Sequence, residues 1–160
     1  TAAVLPAWCA LALIHVQTPN GPFWLLLALL LVWAADSGAY FAGRRFGGRW
    51  FGGRKLAPKV SPNKTIEGLL GVLALSAVVA VAGALLLDVP TQKLPAVIGV
   101  ALVTVAFSVI GDLFESLLKR HVGAKDSGSL IPGHGGVLDR IDSLCFSAPL
   151  FFHLTRFFFT

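Results

Sequence analysis

"GLLGVLALSAVVAVAGALLL", residues 68–87, runs for twenty positions without a charge and with a single hydroxyl, Ser76. Every turn of such a helix is apolar all round, which suits a fully buried or lipid-facing segment and not an amphipathic surface helix. A helix needs about 20 mainly apolar residues to cross the hydrocarbon of a bilayer. The stretch therefore predicts a membrane span. Three further blocks come close to the same rule, roughly Pro22–Phe41, Leu94–Leu113 and Ser143–Phe159, and the opening Ala2–Val16 reads as a fifth, cut short. The predicted fold class is all-α: a polytopic integral membrane protein of about five transmembrane helices. Two long polar connections, Arg44–Glu67 and Phe114–Asp142, interrupt the apolar blocks. A single transmembrane catalytic domain is expected over residues 1–160, forming the C-terminal part of a longer protein.

Composition agrees with this reading. The chain is 56% hydrophobic and only 13% charged, against roughly 25% charged in soluble domains. A net charge of +5 would suit nucleic acid in a soluble protein. Among apolar blocks it points to topology and anionic lipid headgroups, so no nucleic-acid partner is expected. Cys9 and Cys145 fall in apolar segments and read as buried, small, hydrophobic thiols. They form neither a disulfide framework nor a zinc pattern.

Basic residues set the orientation. Arg44, Arg45, Arg49, Arg54, Lys55, Lys59 and Lys64 lie in the first connection, and Lys119, Arg120, Lys125 and Arg140 in the second. Only Lys93 and Arg156 remain for the other side. The positive-inside bias places both connections in the cytoplasm. The polar chemistry is thus gathered on one side, where nucleotides are available.

Four constellations carry that chemistry. In "SVIGDLFESLLKR", residues 108–120, Asp112, Glu115, Ser116 and Lys119 share one helix face. A Glu115–Lys119 pair at a helix end is an ordinary structural feature. Asp112 lies deeper, among Val109, Ile110 and Leu113, with no basic residue at helical spacing before it, and needs a partner or a cation. In "PGHGGVLDRID", residues 132–142, Gly133, Gly135 and Gly136 let the backbone turn and expose N–H groups to an anion. Asp139 and Asp142 follow on one helix face, a pattern that suggests Mg²⁺ holding phosphate oxygens. His134 either donates to a phosphate or fixes the turn.

The third constellation, "KVSPNKTIEG" at residues 59–68, lacks the spacing of a phosphate loop. Ser61 or Asn63 is expected to cap the next helix, with Glu67 near its first turn. Lys59 and Lys64 suit a triphosphate or a lipid phosphate equally. The fourth, "WAADSGAYFAGRRFGGRWFGGRK", covers residues 33–55. Asp36 sits within an apolar span, where a function or a polar partner is the default, and Tyr40 one turn on is a candidate partner. Ala35, Gly38, Ala39, Ala42 and Gly43 permit close helix packing. The arginines and Trp50 that follow read as an interfacial anchor for anionic headgroups.

The run "SLLKRHVGAKDSGSLIPGHGGVLDRID", residues 116–142, resembles the signature of the phosphatidate cytidylyltransferase (CDP-diacylglycerol synthase) family. Ser116, Lys119, Arg120, Lys125, Asp126, Pro132–Gly136, Asp139, Arg140 and Asp142 all fall in place. "DSGAYFAGRRFG" and "KVSPNKTIEG" look like the family's upstream motifs, with Ser37 where threonine is commoner. The resemblance covers Asp36 to the C-terminus. It implies transfer of a cytidylyl group from CTP to phosphatidic acid, giving CDP-diacylglycerol and pyrophosphate. It further implies Mg²⁺, with room for a second, monovalent cation, a homodimer among membrane lipids, and a bacterial inner-membrane location with a cytoplasmic site. Under it, Asp112 and Asp139 are candidate Mg²⁺ ligands and Asp142 a helper or second-cation ligand. Lys119, Arg120, Lys125 and Arg140 would hold the triphosphate, and Lys59 and Lys64 the lipid phosphate. Asp36, Ser61, Ser116, Asp126, Gly133, His134, Gly135 and Gly136 complete the expected substrate site.

Overall fold

The computed structural model describes residues 3–17, 20–52, 54–124, 127–128 and 136–159. Among these described residues five α-helices carry the fold: α1 (Val4–Gln17), α2 (Gly21–Phe46), α3 (Ile66–Leu86), α4 (Leu94–His121) and α5 (Leu138–Phe159). A two-stranded antiparallel ribbon, β1 (Lys55–Ala57) with β2 (Ser61–Thr65), interrupts the α2–α3 connection. Each helix packs on its neighbours in sequence, and α5 returns to α1, so the bundle closes on itself. Ile14, Leu31, Val72, Val105 and Phe151 meet in its core. Large apolar side chains such as Leu30, Val78, Leu86, Phe107 and Ile110 remain exposed. In water that surface would be costly, whereas in lipid it is the expected outer face.

By length and composition, α2, α3 and α4 can cross a membrane, and α1 is a shorter apolar helix. In α5 the apolar part begins only at Ser143, after a first turn that carries Asp139. The helices run past the predicted apolar blocks. α2 continues from Phe41 to Phe46 because Arg44 and Arg45 suit its negative C-terminal end, where an Arg44 N–H donates to the Tyr40 hydroxyl at 2.5 Å. At 1.5 Å per residue α4 is about 42 Å long, more than the roughly 30 Å of hydrocarbon, so its polar end projects beyond the apolar layer.

Several expectations are corrected. The ribbon was not foreseen: its strands are short and polar, without apolar alternation. Its strand β2 runs up to the start of α3, so Ser61 and Asn63 stand too early to cap that helix; Thr65, the last residue of β2, does so, its Oγ1 accepting the Gly68 N–H at 3.1 Å. Tyr40 partners Arg44 and not Asp36. Cys145 is buried as expected, but Cys9 is exposed on the outer face of α1.

Candidate active site at the polar end of the bundle

Close backbone approach between α2 and α3 creates the site. A Cβ on Gly38 would lie 2.5 Å from the Gly71 carbonyl oxygen, and one on Gly71 would lie 2.4 Å from Ala42 Cβ. Only small residues allow this contact, as helix pairs in lipid require. It sets Asp36, on α2, beside β2 and the start of α3. A cavity of about 400 Å³ opens there, lined by Asp36, Tyr40, Ser61, Asn63, Lys64, Ser108, Asp112 and Ser143, among others. Both polar connections therefore meet at one end of the bundle.

The charges are arranged in two linked groups. In the first, the Lys64 ammonium pairs with the Asp112 carboxylate across 48 positions of sequence, both side chains about a quarter to a third exposed. Asp36 opens on the same cavity, within electrostatic reach of Asp112 and Asp142. In the second, Lys119 Nζ donates to Asp139 Oδ1 at 2.7 Å and lies 3.6 Å from Glu115 Oε1. Asp139 Oδ2 also accepts the N–H groups of Ser127 at 2.9 Å and Gly136 at 2.7 Å. Burial pushes the Asp139 carboxyl up, but the Lys119 ammonium and these N–H groups outweigh it and hold it well below the usual carboxylate range. Glu115 is buried between the groups, close to Asp142, and among the described residues no donor other than these neighbours reaches its oxygens.

Of the expected site residues, Asp36, Ser61, Lys64 and Asp112 share the cavity, Asp142 lies within electrostatic reach of Asp36, and Lys119 and Asp139 pair with each other outside the cavity lining. Gly136 is buried against Ser127, whose Oγ would lie 2.3 Å from an added Cβ. Ser116 is half-buried on α4, Arg120 is exposed in its last turn, and Lys59 is exposed at the ribbon's tip, away from the cavity lining. Lys125, Asp126, Gly133, His134 and Gly135 lie outside the described residues, as does the Arg140 side chain. Sequence reasoning passed over Ser108 and Ser143. Ser108 precedes Asp112 by one turn, a signal that was present, whereas Ser143 is marked only by adjacency to Asp142.

A hard divalent cation takes oxygen ligands, and the donor set here fits one in kind. Asp112, Asp139 and Asp142 are carboxylates, and buried Glu115 lies beside Asp142 with Lys119 as its cationic neighbour at 3.6 Å. Among the described residues no three acidic, histidine or cysteine side chains already converge as a cage. Instead Asp112 and Asp139 each hold a lysine.

The family model described as the cytidylyltransferase family matches residues 1–158. The chain is similar to phosphatidate cytidylyltransferases of Haemophilus influenzae, 50% identical over 82% of this chain and 45% of that protein, and of Pseudomonas aeruginosa, 48% identical over 92% and 52%. That of Bacillus subtilis is 39% identical over 86% of this chain and 49% of the relative. The chain thus spans about half the length of the curated relatives it matches.

Proposed function

The chain belongs to the cytidylyltransferase family, and from that premise we propose that it transfers the cytidylyl group of CTP to phosphatidic acid, as the names of its relatives suggest. The supporting observation is the joining of Asp36, Lys64 and Asp112, from three separate elements, in one cavity. A phosphate oxygen of phosphatidate attacks the α-phosphorus of CTP. The bond from that phosphorus to the bridging oxygen breaks, and pyrophosphate leaves with the electron pair. Such a transfer needs alignment and charge neutralisation more than a covalent nucleophile.

Lys119, Arg120, Lys125 and Arg140 bind the triphosphate, and Lys64 the lipid phosphate, with Lys59 further out. Mg²⁺, held by Asp112, Asp139 and Asp142, would neutralise charge that builds on the leaving pyrophosphate. Asp142, beside Glu115, is also the place for a second, monovalent cation. Lys64 and Lys119 hold the acidic groups in the absence of substrate and turn to phosphate oxygens when it arrives. The site faces the cytoplasm of a bacterial inner membrane, and the family resemblance favours a homodimer.

The test is incorporation of labelled CTP into lipid by the full chain in detergent with phosphatidate. Product is expected with native protein and not with Asp112→Asn or Asp139→Asn at ordinary Mg²⁺, although both variants should elute as folded protein. Near-native turnover and Mg²⁺ dependence in both would discard the assignment.

A further inference from the structure

Glu67 is a buried carboxylate that the proposed reaction leaves unused. It is 2% exposed in the first turn of α3, and among the described residues no lysine or arginine pairs with it. A carboxylate there is costly unless donors meet it. The donors come from another segment: Oε1 accepts the N–H of Gly48 at 3.1 Å and of Phe51 at 3.3 Å, both in the turn that leaves α2. A first-turn glutamate serving only its own helix dipole would not reach across to that turn. Gly48 has φ 85, a conformation glycine accepts readily, so the turn can bring its N–H to Glu67.

The turn so held presents Arg49 and Trp50 outward. Trp50 is 64% exposed and stacks on Phe46 with ring centroids 4.8 Å apart. The segments on either side line the cavity, α2 through Tyr40 and β1 through Leu56. No aspartate or glutamate occurs from Ser37 to Ile66, so this stretch is basic and aromatic, and the first acid after it is buried. Such a stretch matches a phosphate headgroup at the depth of the membrane interface.

We infer that Glu67 is a positioning residue for lipid entry: by holding the Gly48–Phe51 turn it keeps Arg49 and Trp50 at the cavity rim, where they receive the anionic headgroup of the lipid substrate. The inference rests on the proposed lipid reaction, so its test has one arm that does not depend on turnover. In that arm the full chain is treated briefly with trypsin. Cutting after Arg49 and Arg54 should be about tenfold or more faster in Glu67→Ala, the change that loss of hydrogen bonds to a charged group brings to a local opening equilibrium. Glu67→Gln, which keeps one acceptor oxygen, should fall between, and cutting after Lys119 should not change. In the second arm, in mixed micelles, Glu67→Ala and Trp50→Ala should raise KM for phosphatidate while kcat and KM for CTP stay near native. Should Glu67→Ala fail to elute as one species, Glu67→Gln carries both comparisons. Native cutting in the glutamate variants, or a KM for CTP that rises as much as that for phosphatidate, overturns the inference. A native chain that transfers no cytidylyl group, yet shows the cutting contrast, removes the reaction and leaves only the clamp.

Discussion

Asp112 illustrates what a single residue discloses. Its depth in an apolar helix marks it as a carboxylate that needs company, but the company is Lys64, on a strand 48 positions away. Local spacing cannot reveal such a partner. Both side chains are partly exposed, so removing the lysine should change stability by only ~1 kcal/mol. The kinetic effect should be larger. Lys64→Ala is expected to raise KM for phosphatidate with little change for CTP, measured by varying one substrate at a time. Equal weakening of both would mean one shared anion site. Asp139 gives a pH test. Its carboxyl is held below its ordinary range, so its contribution to stability is present above the unfolded value of about 3.9 and is lost as pH falls toward the depressed folded value. Native protein should therefore lose more thermal stability than Asp139→Asn between neutral and acid pH. Parallel curves for the two proteins would rule this out.

Among the elements, the α2–α3 pair matters most, because it sets Asp36 against the strand that carries Lys64. Gly71 has no room for a side chain, whereas an added Cβ on Gly99 in α4 would meet nothing within 4 Å. Gly71→Leu should thus cost about 1–3 kcal/mol or more, the scale of overpacking, and should abolish turnover. Gly99→Leu should do neither. Thermal melts in detergent with a turnover assay would show the contrast, and equal effects would disprove the packing argument. Thr65→Ala should cost about 1 kcal/mol through loss of the α3 cap. The small residues of α2 were legible as a packing face, since their size alone permits close approach. The cap was not. Ser61, Asn63 and Thr65 are all good capping residues, and the choice fell to where the strand ends: β2 extends to Thr65, which alone stands at the first turn of α3.

At the scale of the whole molecule, both polar connections emerge at one end of the bundle, and on the proposed topology, which rests on the positive-inside bias, that end faces the cytoplasm. With Cys9 and Cys145 replaced by alanine, single cysteines at Arg54 and Ser127 should react with an impermeant reagent only from the cytoplasmic side. Labelling of either from outside would reverse the topology. By itself the sequence determined the class of fold and the approximate spans, and it singled out Asp36, Lys64 and Asp112, which the structure brings to one cavity. Those follow from the run length of apolar residues, from charge distribution and from a motif contiguous in the chain. Tertiary structure alone decided which charge meets which: Lys64 with Asp112, Lys119 with Asp139, and Glu67 with the Gly48–Phe51 turn. Such pairings depend on how closely α2 and α3 approach and on where the ribbon folds back, and these are properties of packing between segments far apart in the chain.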